Sequence, residues 1–303
     1  MSTPIVTAPS PAQAAGTTQA STPFEKILLA TDFSAFSMKA LPWAAGLARK
    51  FGSRVFLCHI ITPSSLAIGA PEAAPYLYQS ENESSARELK NLLGSPTLGG
   101  IATKSLMPSG LLSDELSKEI ADNKINLVVA GTHGRTGVRR LLLGSAVEEI
   151  CRIATCPVLT VGPDVAVHAD LGFKRILVPT DLSEESTRSL PYVVELAKTY
   201  GATVTVLHVM PEDAATNPDA KMLSEPVRRS MMHMYQPLFG DVKPDFAIEF
   251  GDTVATILTH ARKHNTDLIA LGIRSAFLPG FQLRSSVAYR VISAAHCPVL
   301  TCR

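Results

Sequence analysis

Gly131 and Gly134 stand with two residues between them, and nine more separate Gly134 from the pair Gly144-Ser145. Glycines let a backbone come close to an anion and aim successive N–H groups at it. Ser145 opens a predicted helix, and the amino end of a helix carries partial positive charge and unpaired amides. Arg135, Arg139 and Arg140 add positive charge in the nine-residue stretch. Together these features read as a cradle for phosphate. Two further stretches end predicted strands and belong beside it: Ala30-Thr31-Asp32 and His59-Ile60. Asp32 is placed to accept hydrogen bonds from a ribose, or it serves only as a turn residue that holds its own backbone. The backbone of Ile60 suits an adenine edge. His133 is open to two readings, a phosphate contact or a side chain turned to solvent. Ser145 and Glu148 form the S-x-x-E pattern of a capping box, which would bring a like charge near a phosphate.

Other residues with chemical potential have simpler readings. The sequence has no G-x-S-x-G elbow, no G-x-x-x-x-G-K-S/T loop and no defensible pair of catalytic carboxylates, so no catalytic residue is assigned. His260 and His264 share a helix face that Asp252 is placed to cap, but a metal needs a third ligand and no H-E-x-x-H glutamate is present. The pair reads as basic residues at a helix carboxyl end, and the expectation is no metal. Met222, Met231, Met232 and Met234 read as packing, either core or inter-domain, with an adaptable partner surface as the alternative. Cys156 and Cys297 precede matching prolines and read as buried and inert, with redox sensing as the alternative.

The elements that must position these groups come twice. Lys26–Ser34 returns as Arg175–Ser183, Gly52 as Gly201 and Cys58-His59-Ile60 as Leu207-His208-Val209, all at an offset of 149. Ala130-Gly131 returns as Leu271-Gly272 and Cys156–Thr160 as Cys297–Thr301, at an offset of 141. The second copy is therefore 149 − 141 = 8 residues shorter in its middle. In the first copy, strands are predicted at 27–30, 55–61, 101–106, 127–130 and 158–161. Between them lie helices, one entered at Ser34 as cap and ended by Gly52, then 76–93, 113–123 and 145–153. Short, nearly continuous apolar strands separated by helices imply a parallel sheet covered on both faces. Ligands of such sheets sit beyond the carboxyl ends of the strands, where the three stretches converge. The expected division is a disordered tail over 1–23, domains over 24–162 and 173–303, and a linker over 163–172.

Composition agrees. The 303 residues carry 28 basic and 27 acidic side chains, and 46 % are hydrophobic. Such a chain is too apolar for disorder, too neutral to attract nucleic acid, and has no apolar run long enough to span a bilayer. Five dispersed cysteines and a first twenty residues without a signal-peptide pattern point to the reducing cytoplasm.

These motifs resemble those of the universal stress protein family, in a tandem form with two domains in one chain. Gly131, Gly134, Gly144 and Ser145 match every fixed position of its nucleotide signature. Thr31-Asp32-Phe33-Ser34 matches its T-D-x-S, and His59-Ile60 its H-V. The resemblance implies an adenine-nucleotide alpha-hydrolase-like α/β fold, two doubly wound domains each with a five-stranded parallel sheet. It implies ATP as cofactor, with or without Mg2+. The nucleotide would meet Ala30, Thr31 and Asp32 after the first strand, and Ile60 after the second. After the fourth it would meet Ala130, Gly131, His133, Gly134 and Arg135, then Gly144, Ser145, Ala146 and Val147 at the helix start. A weaker second site would use Thr180, Asp181, Val209, Gly272, Ser285 and Ser286. There Ser275 and Ser285 stand where glycines are required, and the loop between is apolar, so the second copy is expected to be degenerate. The two domains are expected to pair about a pseudo-two-fold axis through their last strands, with a homodimer as a further option. Three functions remain open on these residues: an ATP-binding regulator, a slow ATPase, and an interaction scaffold that binds no nucleotide.

Overall fold

The computed structural model describes residues 23–62, 72, 74–133, 143–166, 171–212, 218–273 and 286–303. The tail expected over residues 1–23 therefore lies outside it up to residue 22, as do Gly134, Arg135, Arg139, Arg140, Ser275 and Ser285.

The first half runs β1 (Lys26–Ala30), α1 (Leu41–Phe51), β2 (Arg54–Cys58), α2 (Ala74–Leu93), β3 (Thr103–Leu106), α3 (Leu112–Asn123), β4 (Leu127–Gly131), α4 (Ser145–Ile153) and β5 (Val158–Val161). The second half repeats this as β6 (Arg175–Thr180), α5 (Leu190–Tyr200), β7 (Thr203–Met210), α6 (Pro218–Tyr235), β8 (Asp245–Phe250), α7 (Thr253–Lys263), β9 (Leu268–Gly272), α8 (Val287–Ala294) and β10 (Val299–Cys302). Glycine ends the first helix of each half in the left-handed conformation, Gly52 at φ 67° and Gly201 at φ 65°.

Each half contributes five parallel strands, and the ten form one sheet in the order β3-β2-β1-β4-β5-β10-β9-β6-β7-β8. The seam is antiparallel, Leu159 facing Leu300, so the whole sheet is mixed. Thr160 Oγ1 donates to the Val299 carbonyl at 3.1 Å and Thr301 Oγ1 to that of Val158 at 3.3 Å. The expected pairing of the last strands is therefore a continuation of the sheet itself. It also reverses strand direction, so the carboxyl ends of the two halves face opposite ways.

Alternate strand residues point to opposite faces. Ile27, Leu29, Leu127 and Val129 accordingly enter one core, and Leu28 and Val128 the other. The first core lies under α1, α2, α5 and α6, and the second under α3, α4, α7 and α8. Both cores contain residues of both halves. Aromatic rings strengthen the crossing. Trp43 stacks on Phe173 at 5.7 Å, and Phe24 lies 5.9 Å from Tyr192. Among the methionines of α6, Met231 is fully buried and Met232 half-buried, while Met222 and Met234 are exposed, so the packing reading fails for the last two. No helix among the described residues is long and apolar enough to cross a membrane.

Candidate functional site

A cleft of about 210 Å³ opens at the carboxyl ends of β1, β2 and β4. Ala30, Thr31 and Asp32 line it from β1, His59 and Ile60 from the end of β2, and Ala130, Gly131 and His133 from β4. Gly144, Ala146 and Val147 line it from the start of α4. The first-copy residues expected from the sequence thus gather at one place, with two differences. Ser145 is exposed and does not line the cleft, and Gly134 and Arg135 lie outside the described residues.

The T-D-x-S stretch builds its own turn. Thr31 Oγ1 accepts from the Phe33 N–H at 2.9 Å, and Asp32 Oδ1 from the Ser34 N–H at 3.0 Å. Phe33 sits at φ 63°, a conformation few non-glycine residues adopt. The turn reading of Asp32 therefore holds for one carboxylate oxygen while the residue still lines the cleft. Ser34 does not cap α1. It accepts from the Ser37 N–H and supports a 3-10 turn, Ser37–Ala40, and the residue capping α1 is Ala40. His59 Nδ1 lies 2.9 Å from the Thr31 carbonyl, which can only accept, so Nδ1 carries the proton. That bond ties the end of β2 to the end of β1.

The expected capping box does not form. Gly144 is the N-cap of α4, with no side-chain cap, and Ser145 is its first helical residue. The box fails by one position, because the Gly144 N–H is already bound to the Thr132 carbonyl at 2.9 Å and holds the chain extended there. The helix start is thus capped by no hydroxyl. Gly131 has a role the motif did not disclose. A Cβ there would come within 2.7 Å of the Phe36 carbonyl oxygen and of Ser37 Cα. It is a packing glycine beneath the 3-10 turn as well as a lining residue.

Two lining groups bear on chemistry. His133 is buried, with Nδ1 2.9 Å from Thr132 Oγ1, while Nε2 has no hydrogen-bond partner among the described residues. Cys58 is also in the lining, and burial, with Glu119 adding to it, pushes its thiol up to about 12. It remains a protonated thiol and is no nucleophile at neutral pH. Ser37, Thr62, Leu112, Leu116 and Ile150 complete the wall and were missed from the sequence. The apolar period of α3 marked Leu116 as buried, but nothing local told that α3 leans over the cleft.

The second half has a cleft of similar size, about 180 Å³, so volume does not separate the two. Its lining does. Thr180, Asp181, Val209 and Gly272 are present, joined by Glu185 as a second carboxylate. The same turn recurs, with Leu182 at φ 65° and His208 Nδ1 2.9 Å from the Thr180 carbonyl. Ser286 is the N-cap of α8, where its Oγ accepts from the Tyr289 N–H at 3.1 Å, and it does not line the cleft. The buried Tyr235 hydroxyl binds Ser186 at 2.7 Å and also meets Thr180. Gly272 repeats the packing role of Gly131, since a Cβ would overlap the Glu185 carbonyl oxygen. Its presence in both halves follows from packing alone.

The sequence profile of the universal stress protein family matches residues 23–162 and again 172–303. A universal stress protein of Mycolicibacterium smegmatis is 26 % identical over 292 residues, covering 91 % of this chain and 96 % of its own. One from Methanocaldococcus jannaschii is 30 % identical over 142 residues, which is 46 % of this chain and 82 % of that protein. In fold, the crystal structure of a universal stress protein from Archaeoglobus fulgidus DSM 4304 aligns with a TM-score of 0.72, at 23 % identity, over 92 % of this chain and 98 % of that one. With the profile matched in both halves and a full-length relative alongside, this chain belongs to the universal stress protein family and carries two copies of its domain in tandem.

Proposed function

We propose that the chain is an ATP-binding regulator of a stress response, with the nucleotide held in the first cleft and the second cleft degenerate. The observation that carries this reading is the make-up of the first cleft. Three strand ends meet the uncapped amino end of α4, and the same lining includes His133, whose buried Nε2 has no partner among the described residues. A phosphate would satisfy both, since amides at a helix start and an imidazole N–H are donors. His133 then takes the phosphate role, and Asp32, which lines the cleft beside it, the ribose role. Degeneracy of the second cleft is supported by its added carboxylate, Glu185, which would repel a phosphate. Binding is favoured over turnover. Asp32 is the one carboxylate among the described lining residues, and its Oδ1 already holds the Ser34 amide. All five cysteines are free thiols, in keeping with a cytoplasmic protein. Occupancy would act by favouring one of two states of the chain through differential affinity.

The test is to denature the purified chain and quantify any released nucleotide, then to titrate the stripped chain with ATP, with and without Mg2+. Gly144→Val is the control, because Gly144 has φ −62° and ψ 143°, which valine adopts without strain. About one adenine nucleotide per chain, lost in G144V with the fold retained, is the expected result. Two per chain would overturn the degenerate second cleft. No binding at millimolar ATP would overturn the reading and leave the scaffold. Release of ADP over hours at stoichiometric chain would show turnover.

A further inference from the structure

His260 and His264 lacked a third ligand in the sequence, and the fold brings one. β8 and α7 pack together so that His260 Nδ1 lies 2.5 Å from Glu249 Oε1. The His260 and His264 rings stack, with centroids 4.3 Å apart and planes inclined by 27°. One donor atom from each of the three side chains lies within 4.8 Å of the others. His260 is buried, Glu249 is half-buried and His264 is exposed at the carboxyl end of α7. None of the three lines either cleft.

We propose that Glu249, His260 and His264 form a binding site for one divalent transition-metal ion, zinc by donor chemistry. Two imidazoles and one carboxylate are a borderline set. Calcium takes six to eight oxygens, and magnesium keeps several waters in an octahedron, so neither suits this site. Imidazole suits zinc, copper, nickel and iron. Three protein donors leave a fourth tetrahedral position for water. Zinc bonds to nitrogen and oxygen of about 2.0–2.2 Å set neighbouring donors about 3.4 Å apart. The present spacing therefore needs to adjust by side-chain rotation, and the exposed His264 is placed to make that movement. The ion takes the place of the proton between His260 Nδ1 and Glu249 Oε1, and that proton leaves to water. Bound there, it pins β8, the outermost strand of the second half, to α7.

The test uses the full chain, free of any affinity tag and stripped with a chelator, with Co2+ as the spectroscopic probe and Zn2+ as the competitor. Uptake of one Co2+ per chain is expected. It should show the visible bands of a tetrahedral site with nitrogen and oxygen donors, no thiolate charge-transfer band, and displacement by Zn2+. His264→Ala and Glu249→Gln leave the buried His260 in place and should each weaken uptake about tenfold or more. No stoichiometric uptake at about 100 µM metal, a thiolate band, or uptake indifferent to either variant would overturn the assignment. Circular dichroism of both variants separates loss of ligand from loss of fold.

Discussion

Gly131 and Gly272 show how one residue type serves two purposes. Each lies where the fourth strand of its half ends, and each faces backbone across the gap. Backbone cannot swing aside as the tip of a side chain can, so a methyl group forces the 3-10 turn to move. Gly131→Ala is expected to cost about 1–3 kcal/mol. Gly272→Ala should cost more, because its Cβ would overlap a carbonyl oxygen outright where that of Gly131 approaches one to 2.7 Å. Urea denaturation of both variants measures the order, and equal midpoints would contradict it. The glycine spacing made Gly131 visible in the sequence. Its packing role was hidden because Phe36 and Ser37 lie almost a hundred residues earlier in the chain. Glu249 was hidden for another reason: it is near His260 in sequence but sits on a strand, and only the packing of β8 on α7 brings the two together.

At the level of elements, the two halves start their equivalent helices differently. α8 begins at Ser286 with a side-chain hydrogen bond, whereas α4 begins at Gly144 with none. Loss of a serine cap costs about 0.5–2 kcal/mol. Ser286→Ala should therefore lower stability by that amount, and Ser145→Ala should change it by less than about 0.5 kcal/mol. Thermal unfolding of the two variants side by side is the measurement. Strands and helices were largely legible, because apolar runs and glycine stops are local signals: 145–153 and 158–161 were read with the observed bounds. The 3-10 turns Ser37–Ala40 and Glu185–Ser189 were not. A serine one turn before an apolar period looks like a helix cap, and only the seating of the turn on β4 or β9 decides otherwise.

For the molecule as a whole, the antiparallel seam has the largest consequences. β5 and β10 are buried along their length and occupy each other's edges. The sequence repeat announced two equivalent halves, but a repeat carries no information on which edges meet. An apolar strand left without its partner is a template for another chain. Residues 23–166 expressed alone should self-associate through β5, and their sedimentation coefficient should fall on dilution while that of the full chain does not. A half that stays monomeric at about 100 µM would argue that the seam contributes little. The full chain has already used these edges, so any homodimer of it must draw on other surfaces.

Joining the halves in one chain also changes what the seam responds to. Between separate chains, the pairing of two such domains depends on how much protein is present, and partners exchange. A tether holds the second domain at a local concentration near millimolar, however dilute the solution. The pairing is then insensitive to abundance, and each first cleft always has the same unlike neighbour at the far side of the sheet. Changes in expression level alter the number of such pairs and leave their composition unchanged.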